Sequence, residues 1–207
     1  NGAGKTTLIG LLAGEMAPDA GSIIVAGRDL THTPVYDRAR FGLARSFQIT
    51  SVFSNLTVLD NVILAVQAHA GHSFQFWHPA RSKASLRNPA LDALNLVGLT
   101  ERAHEMATNV SHGERRQLEI AMALAIEPKL LLLDEPTAGM GTDESRRMTA
   151  LLQRLKGRYA VLLIEHDMDV VFSLADRITV MVNGRPIATG KPESIRNNPD
   201  VRKAYLG

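Results

Sequence analysis

Residues 110–137 read VSHGERRQLEIAMALAIEPKLLLLDEPT, and the fold follows from this stretch. Near its end Leu130-Leu131-Leu132-Leu133 runs into Asp134-Glu135. Four successive apolar residues predict a strand buried on both faces, as in a parallel sheet covered by helices. A carboxylate pair at the carboxyl end of such a strand lies where α/β sheets hold their ligands. The plainer reading is an ordinary strand-end acid. At the start of the stretch, Ser111-His112-Gly113-Glu114 has the Ser-x-x-Glu form of a capping box. Leu118, Met122 and Ala125 then mark one side of the helix that follows. Its first-turn N–H groups, with a glycine beside them, make a ready anion site, or simply a capped helix end.

The 207-residue chain can bury a full core. Apolar residues at 45% and charged ones at 21% are those of an ordinary globular protein. A formal charge of +2 is too small to argue for a nucleic-acid partner. Without cysteine there is no disulfide, thiolate chemistry or Cys-ligated metal. No run of apolar residues is long enough for a membrane-spanning helix, and no signal peptide is visible, so the expected location is the cytoplasm.

Working outward, the chain opens on Asn1-Gly2-Ala3-Gly4-Lys5-Thr6-Thr7. These residues fit the closing places of G-x-x-x-x-G-K-[ST], whose first glycine would precede Asn1; the chain reads as cut inside a phosphate-binding loop. Such loops need glycine because their N–H groups must approach phosphate oxygens closely. Lys5 would supply a point charge to the outer phosphates and Thr6 a hydroxyl to Mg²⁺. Leu8, Ile9, Leu11 and Leu12 continue at helical spacing, as the motif requires. The bland alternative is a glycine-rich tail.

Beyond it, residues 22–25 predict a short strand broken by Ala26-Gly27, and residues 30–40 read as polar and irregular. Arg45-Ser46-Phe47-Gln48 predicts a strand with a polar end, Thr57-Val58-Leu59-Asp60 a capped helix, and 91–97 a helix closed by Gly98. Residues 69–90 gather His69, His72 and His78 with Phe74, Phe76, Trp77, Arg81, Lys83 and Arg87. The histidines lack a metal-ligand spacing, and three cations are few for nucleic acid, so this insert reads as a surface helix or a protein contact. On the other side of the central stretch, 142–155 predicts a helix, 160–164 a third buried strand ending in Glu165-His166-Asp167, and 178–189 a hairpin turning at Asn183-Gly184. Pro186 puts the hairpin's second strand at an edge.

Strands alternating with helices predict a mostly parallel sheet with its polar loops at the carboxyl edge. That edge collects Gln48, Asp134-Glu135, His166 and the Gly-Lys-Thr loop. These are the parts of a phosphoryl-transfer site. Lys5 and loop amides hold phosphates, and Thr6 with Asp134 holds Mg²⁺. Glu135 is free to orient or deprotonate water, and His166 can donate toward a γ-phosphate.

In this order and spacing the chain resembles the nucleotide-binding subunit of an ATP-binding cassette (ABC) transporter, over essentially its whole length. Asn1, Gly2, Ala3, Gly4, Lys5, Thr6 and Thr7 resemble the Walker A loop and Gln48 the Q-loop. Residues 110–114 resemble the LSGGQ signature, 130–135 Walker B, 138–141 the D-loop, and His166 the switch histidine. The resemblance implies an α/β P-loop NTPase fold of RecA-like type. Its mostly parallel sheet would carry helices on both faces, with an added α-helical subdomain. The expected division is 1–56 and 128–207 for the ATP-binding core and 57–127 for the helical subdomain.

It also implies ATP and Mg²⁺ as cofactors, with Thr6, Gln48 and Asp134 at the metal and Glu135, His166 and Gln48 in catalysis. Two subunits would pack head to tail, so that Ser111, Gly113 and Glu114 of one meet the nucleotide held by Lys5 of the other. Gln48 and the residues after it would meet a membrane permease at the cytoplasmic face of the plasma membrane, served indirectly by a solute-binding protein, with no nucleic acid involved. Within the superfamily the branched-chain amino-acid uptake type is most similar. That rests on Arg45-Ser46-Phe47-Gln48, Phe76-Trp77-His78-Pro79, Ile164-Glu165-His166-Asp167-Met168 and the tail 195–207; importers for urea or short amides share much of it.

The chain departs from the family at His112 (usually Gly), Glu114 (usually Gln) and Gly141 (usually Asp). Without the residues before Asn1 it is expected to bind ATP poorly, while a longer protein hydrolyses it. A soluble ABC ATPase acting on DNA or ribosomes, and a non-catalytic nucleotide-binding module, are the competing readings.

Overall fold

The computed structural model describes residues 3–45, 52–70 and 83–206. Among the described residues the elements are α1 (Lys5–Ala13), β1 (Ile24–Val25), β2 (Arg28–Asp29), α2 (Val35–Phe41), β3 (Leu43–Arg45), α3 (Val58–His69), α4 (Ala84–Val97), α5 (His112–Leu124), β4 (Leu130–Asp134), α6 (Thr142–Leu155), β5 (Ala160–Ile164), α7 (Met168–Leu174), β6 (Ile178–Val182), β7 (Arg185–Gly190), α8 (Pro192–Arg196) and α9 (Pro199–Leu206).

The central sheet is parallel, in the order β3-β4-β5, with Arg45 opposite Leu132 and Asp134 opposite Ile164. Alternation along β4 divides the core. Leu130 and Leu132 pack with Leu43, Leu162, Ala13 and the β1–β2 hairpin on one face. Leu131 and Leu133 pack with Ala44, Val161, Leu163 and helices α3 to α7 on the other. Helices on both faces are why β4 is a continuous apolar run, as expected.

Helices α3, α4 and α5 pack on one another. A short backbone ladder joins the start of α3 to the segment between α4 and α5: Val58 N–H donates to Glu105 O at 2.9 Å, and Ala107 N–H to Leu56 O at 2.9 Å. Asn61, fully buried, seals the entry to α3. Its Oδ1 accepts from Phe53 N–H and its Nδ2 donates to Phe53 O and Thr57 O. A third cluster, Ile178, Val180, Ile195 and Val201, holds the antiparallel β6–β7 hairpin to α8 and α9.

Several local expectations are corrected. Residues 30–40 are not irregular: they contain most of α2, capped at Pro34. No apolar stripe announces this helix, because its buried side chain is Arg38. The strand placed at 22–25 is only Ile24–Val25, paired with β2 across the Ala26-Gly27 turn. Helix α4 begins at Ala84, not at 91. Pro89 lies inside it and cannot donate the backbone bond to Ser85 O, while Leu86, Ala90, Ala93, Leu94 and Val97 bury a continuous stripe. Strand β5 is buried only at Ile164; its outer residues border a groove of about 700 Å³ shared with β6. The strand read into 45–48 is seen through Arg45, and residues 46–48 lie outside the described residues.

Candidate functional site

Gly4 precedes α1 in the left-handed region at φ 86°, without a side-chain cap, so the first-turn N–H groups of α1 carry no capping side chain. A Cβ at Gly4 would lie 2.9 Å from the Cα of Gly184. The Gly184 N–H donates to Ala3 O at 3.0 Å, so the β6–β7 turn buttresses the loop. Gly4→Ala therefore meets backbone rather than a yielding side chain. A left-handed alanine costs about 1–2 kcal/mol; the empty loop relieves this by leaving the conformation and must regain it to bind, so nucleotide affinity of the whole protein is expected to fall about tenfold. Calorimetric titration checks this, and an unchanged Kd would contradict the close approach. Thr6 and Thr7 are exposed on the first turn of α1; Asn1 and Gly2 lie outside the described residues.

Two acids end β4, and they differ. Asp134 is 4% exposed, and its Oδ2 accepts no hydrogen bond. Arg45 Nη2 stands 3.9 Å from that oxygen, while the same guanidinium is paired with Glu15 just after α1. Burial pushes the Asp134 carboxyl above its usual range and Glu135 adds to this, against the opposing charges of Arg45 and Lys5. Glu135 is half-buried and takes a left-handed backbone, φ 48°, which a non-glycine residue rarely adopts. Its N–H donates to Ile164 O at 2.8 Å, continuing the parallel ladder by one step. The turn then closes through Ala138 N–H to Glu135 O at 3.0 Å.

The Glu135 carboxylate draws the other candidates together. Lys5 Nζ is 3.9 Å from its Oε1, and His166 Nδ1 is 3.6 Å from the same oxygen. The His166 side chain is 64% exposed and so is open to a ligand. Gln48 lies outside the described residues, as do residues 71–82 with His72, His78 and most of the aromatic insert.

The remaining candidates form a separate cluster. Ser111 caps α5: its Oγ accepts from Glu114 N–H at 3.2 Å, and Glu114 Oε2 accepts from Ser111 N–H at 2.8 Å. Arg102 Nε donates to Glu114 Oε1 at 3.1 Å. The Ser111 N–H, assisted by the Arg102 charge, holds the Glu114 carboxyl below its usual range. Where the family pattern has glutamine, then, this chain has a carboxylate folded back onto its own helix cap. Gly113 is buried against α6; a Cβ there would meet Glu144 Oε1 at 2.9 Å. Among the described residues no hydrogen bond or ion pair within one chain joins this cluster to Lys5, Asp134 or Glu135.

Sequence reading missed Arg45, Arg102, Glu165 and the Asn183-Gly184 buttress as parts of these clusters. Arg45 and Glu165 sit at strand ends beside residues that were singled out, and that position was the available signal.

A family model described as "ABC transporter" matches residues 1–138, and one described as "Branched-chain amino acid ATP-binding cassette transporter" matches residues 185–207. The chain is 40% identical to the high-affinity branched-chain amino acid transport ATP-binding protein LivG of Salmonella typhimurium, covering 100% of this chain and 84% of that one. It is 41% identical to the corresponding BraF protein of Pseudomonas aeruginosa at the same coverage. A solved ATP-binding cassette of an ABC transporter in its ADP conformation superposes with TM-score 0.85 at 27% identity, over 100% of this chain and 85% of that one. A nucleotide-free ATP-binding cassette gives TM-score 0.85 at 28% identity, with the same coverage.

Proposed function

The chain belongs to the ABC transporter family, as an ATP-binding cassette, and from that premise we propose that it powers uptake of branched-chain amino acids or a similar small polar solute, such as urea or an amide. ATP hydrolysis would take place around Glu135. The observation that carries this reading is the convergence of Lys5 and His166 on one oxygen of Glu135, beside buried Asp134.

ATP phosphates lie on the N–H groups of the first turn of α1, with Lys5 leaving Glu135 to neutralise them. The residues suit Mg²⁺. Asp134 offers a buried oxygen with no hydrogen bond, and Thr6 a hydroxyl; these are hard oxygen donors, with Gln48 assigned as a further one. When bound, the ion would supply positive charge to offset that developing on the phosphates. Glu135, released by Lys5, accepts a proton from the attacking water or orients it. His166, on the adjoining strand end, donates toward the γ-phosphate.

A second cassette, a copy or a homologue, completes the site by presenting Ser111 and the N-terminus of α5, with Glu114 holding that cap in shape and Gly113, buried against α6, letting α5 pack close beneath it. Among the described residues no hydrogen bond or ion pair joins the two clusters within one chain, which supports this pairing. The division into a core (1–56 and 128–207) and a helical subdomain (57–127) fits the mutual packing of α3, α4 and α5. The segment after Gln48 meets a membrane permease at the cytoplasmic face, and a solute-binding protein acts through that permease. Among the described residues no helix is long and apolar enough to cross a membrane.

Mixing two inactive variants tests the pairing. Lys5→Ala spoils one cassette's phosphate loop and Ser111→Arg the other's signature. In a head-to-tail pair the mixed dimer gathers both lesions in one site and leaves the other intact. Mixing the two in the assembled transporter is therefore expected to restore phosphate release that neither variant shows alone. No restoration would mean that copies of this chain do not share sites.

A further inference from the structure

We propose that Glu165 is a positioning residue that ties the loop carrying Glu135 to the loop carrying His166; this rests on the hydrolytic reading of the site. Glu165 follows β5, and its side chain is 0% exposed although His166 beside it is open. Buried carboxylates are costly unless fully satisfied. Here the partners are peptide and hydroxyl donors on two separate loops. Oε1 accepts the N–H of Thr137 at 3.1 Å and also its hydroxyl. Oε2 accepts the N–H of His166 at 3.1 Å.

Thr137 is itself buried and lies two residues past Glu135, in the tight turn that holds Glu135 left-handed. A strained backbone of this kind persists only where its surroundings over-determine it. The ladder bond from Glu135 N–H to Ile164 O fixes the entry to that turn, and the Thr137–Glu165 link fixes its exit. One carboxylate thus sets the spacing between the proton acceptor on one strand end and the histidine on the next. Among the described residues it has no hydrogen bond or ion pair with Lys5 or Asp134, so its influence falls on the chemical step and not on nucleotide capture.

The test uses the assembled transporter with Glu165→Gln, Thr137→Val, Thr137→Ser and the Glu165→Gln/Thr137→Val double variant, with Glu135→Gln run in parallel. Glu165→Gln keeps the shape but cannot accept from both loops. It is expected to lower kcat about tenfold, the scale of one charge-assisted hydrogen bond, with the Kd for ATP unchanged. Thr137→Val should match it and Thr137→Ser should keep near-full turnover. The double variant should be no worse than the single ones, because both break one link. Full turnover in Glu165→Gln while Glu135→Gln is inactive overturns this proposal alone, as do additive losses or a loss confined to ATP affinity. Full turnover in Glu135→Gln overturns the site reading and this proposal together.

Discussion

Glu135→Gln is expected to hold ATP and scarcely hydrolyse it. The amide is isosteric, and the left-handed turn and the ladder bond to Ile164 are held by backbone groups, so both survive. What disappears is the ability to take a proton from water, a contribution of roughly 10²- to 10⁴-fold to kcat. Binding changes in the opposite sense. The wild-type carboxylate engages Lys5 at 3.9 Å and stands beside Asp134 at the place proposed for the triphosphate. Removing one negative charge frees Lys5 and lessens repulsion of the phosphates, so the Kd for ATP is expected to stay level or fall. Phosphate release and nucleotide titration on the same preparation separate the two effects. Turnover within a factor of a few of wild type would show that another group takes the proton.

Arg38→Met should produce the largest loss of stability. Arg38 is 1% exposed and has no carboxylate partner among the described residues. Its guanidinium closes the carboxyl end of α1 instead. Nη1 donates to Leu11 O at 2.7 Å and Leu12 O at 2.6 Å, Nε to Thr33 O at 2.7 Å, and Nη2 to Thr31 O at 3.0 Å. A cation there meets the negative end of the helix dipole, gives Leu12 O a donor and adds a second to Leu11 O, which also accepts from Gly14 N–H. Burial pushes the guanidinium down from its usual value, yet a group titrating that high stays charged. Gly14 is part of the same device, since a Cβ on it would lie 2.8 Å from Arg38 Nε.

Methionine fills similar space but removes all four donations at once, in a site where Arg38 itself is buried, a cost of about 3 kcal/mol. For a chain of this size that lowers Tm by roughly 6–12 °C. Arg38→Lys keeps the charge but not the fork that reaches four acceptors, and should fall between. Thermal unfolding of the full-length protein measures both. A Met variant melting within a degree or two of wild type would mean that water replaces the guanidinium at little cost. Because α1 carries Lys5 and Thr6 at its other end, fraying from Leu11 and Leu12 also predicts weaker ATP binding.

These two residues differ in how plainly they show in the chain. Glu135 announces itself, because an apolar strand followed by two acids is a local pattern with one sensible place in an α/β sheet. Arg38 sits in a polar stretch whose pattern predicts no helix, because no apolar stripe marks α2. Its importance comes from carbonyls 26 and 27 residues away along the chain. Glu165 directly precedes His166, yet no spacing rule joins it to Thr137, 28 residues earlier. The parallel register of β4 and β5 makes that contact.

The sequence by itself determined the features that depend on neighbouring residues: the glycine before Lys5, the Ser111–Glu114 cap, the buried β4 with its acidic end, and the β6–β7 turn. Backbone conformation and capping are local physics, and periodicity reports which face is apolar. Only the tertiary structure decided which charges meet. It set Lys5 and His166 on a single oxygen of Glu135 and Arg45 against Asp134. It turned Glu114 back toward Arg102 and buried Glu165 between two loops. Those pairings follow from strand register and helix packing, which bring distant residues within a few ångströms and which no short window of residues encodes.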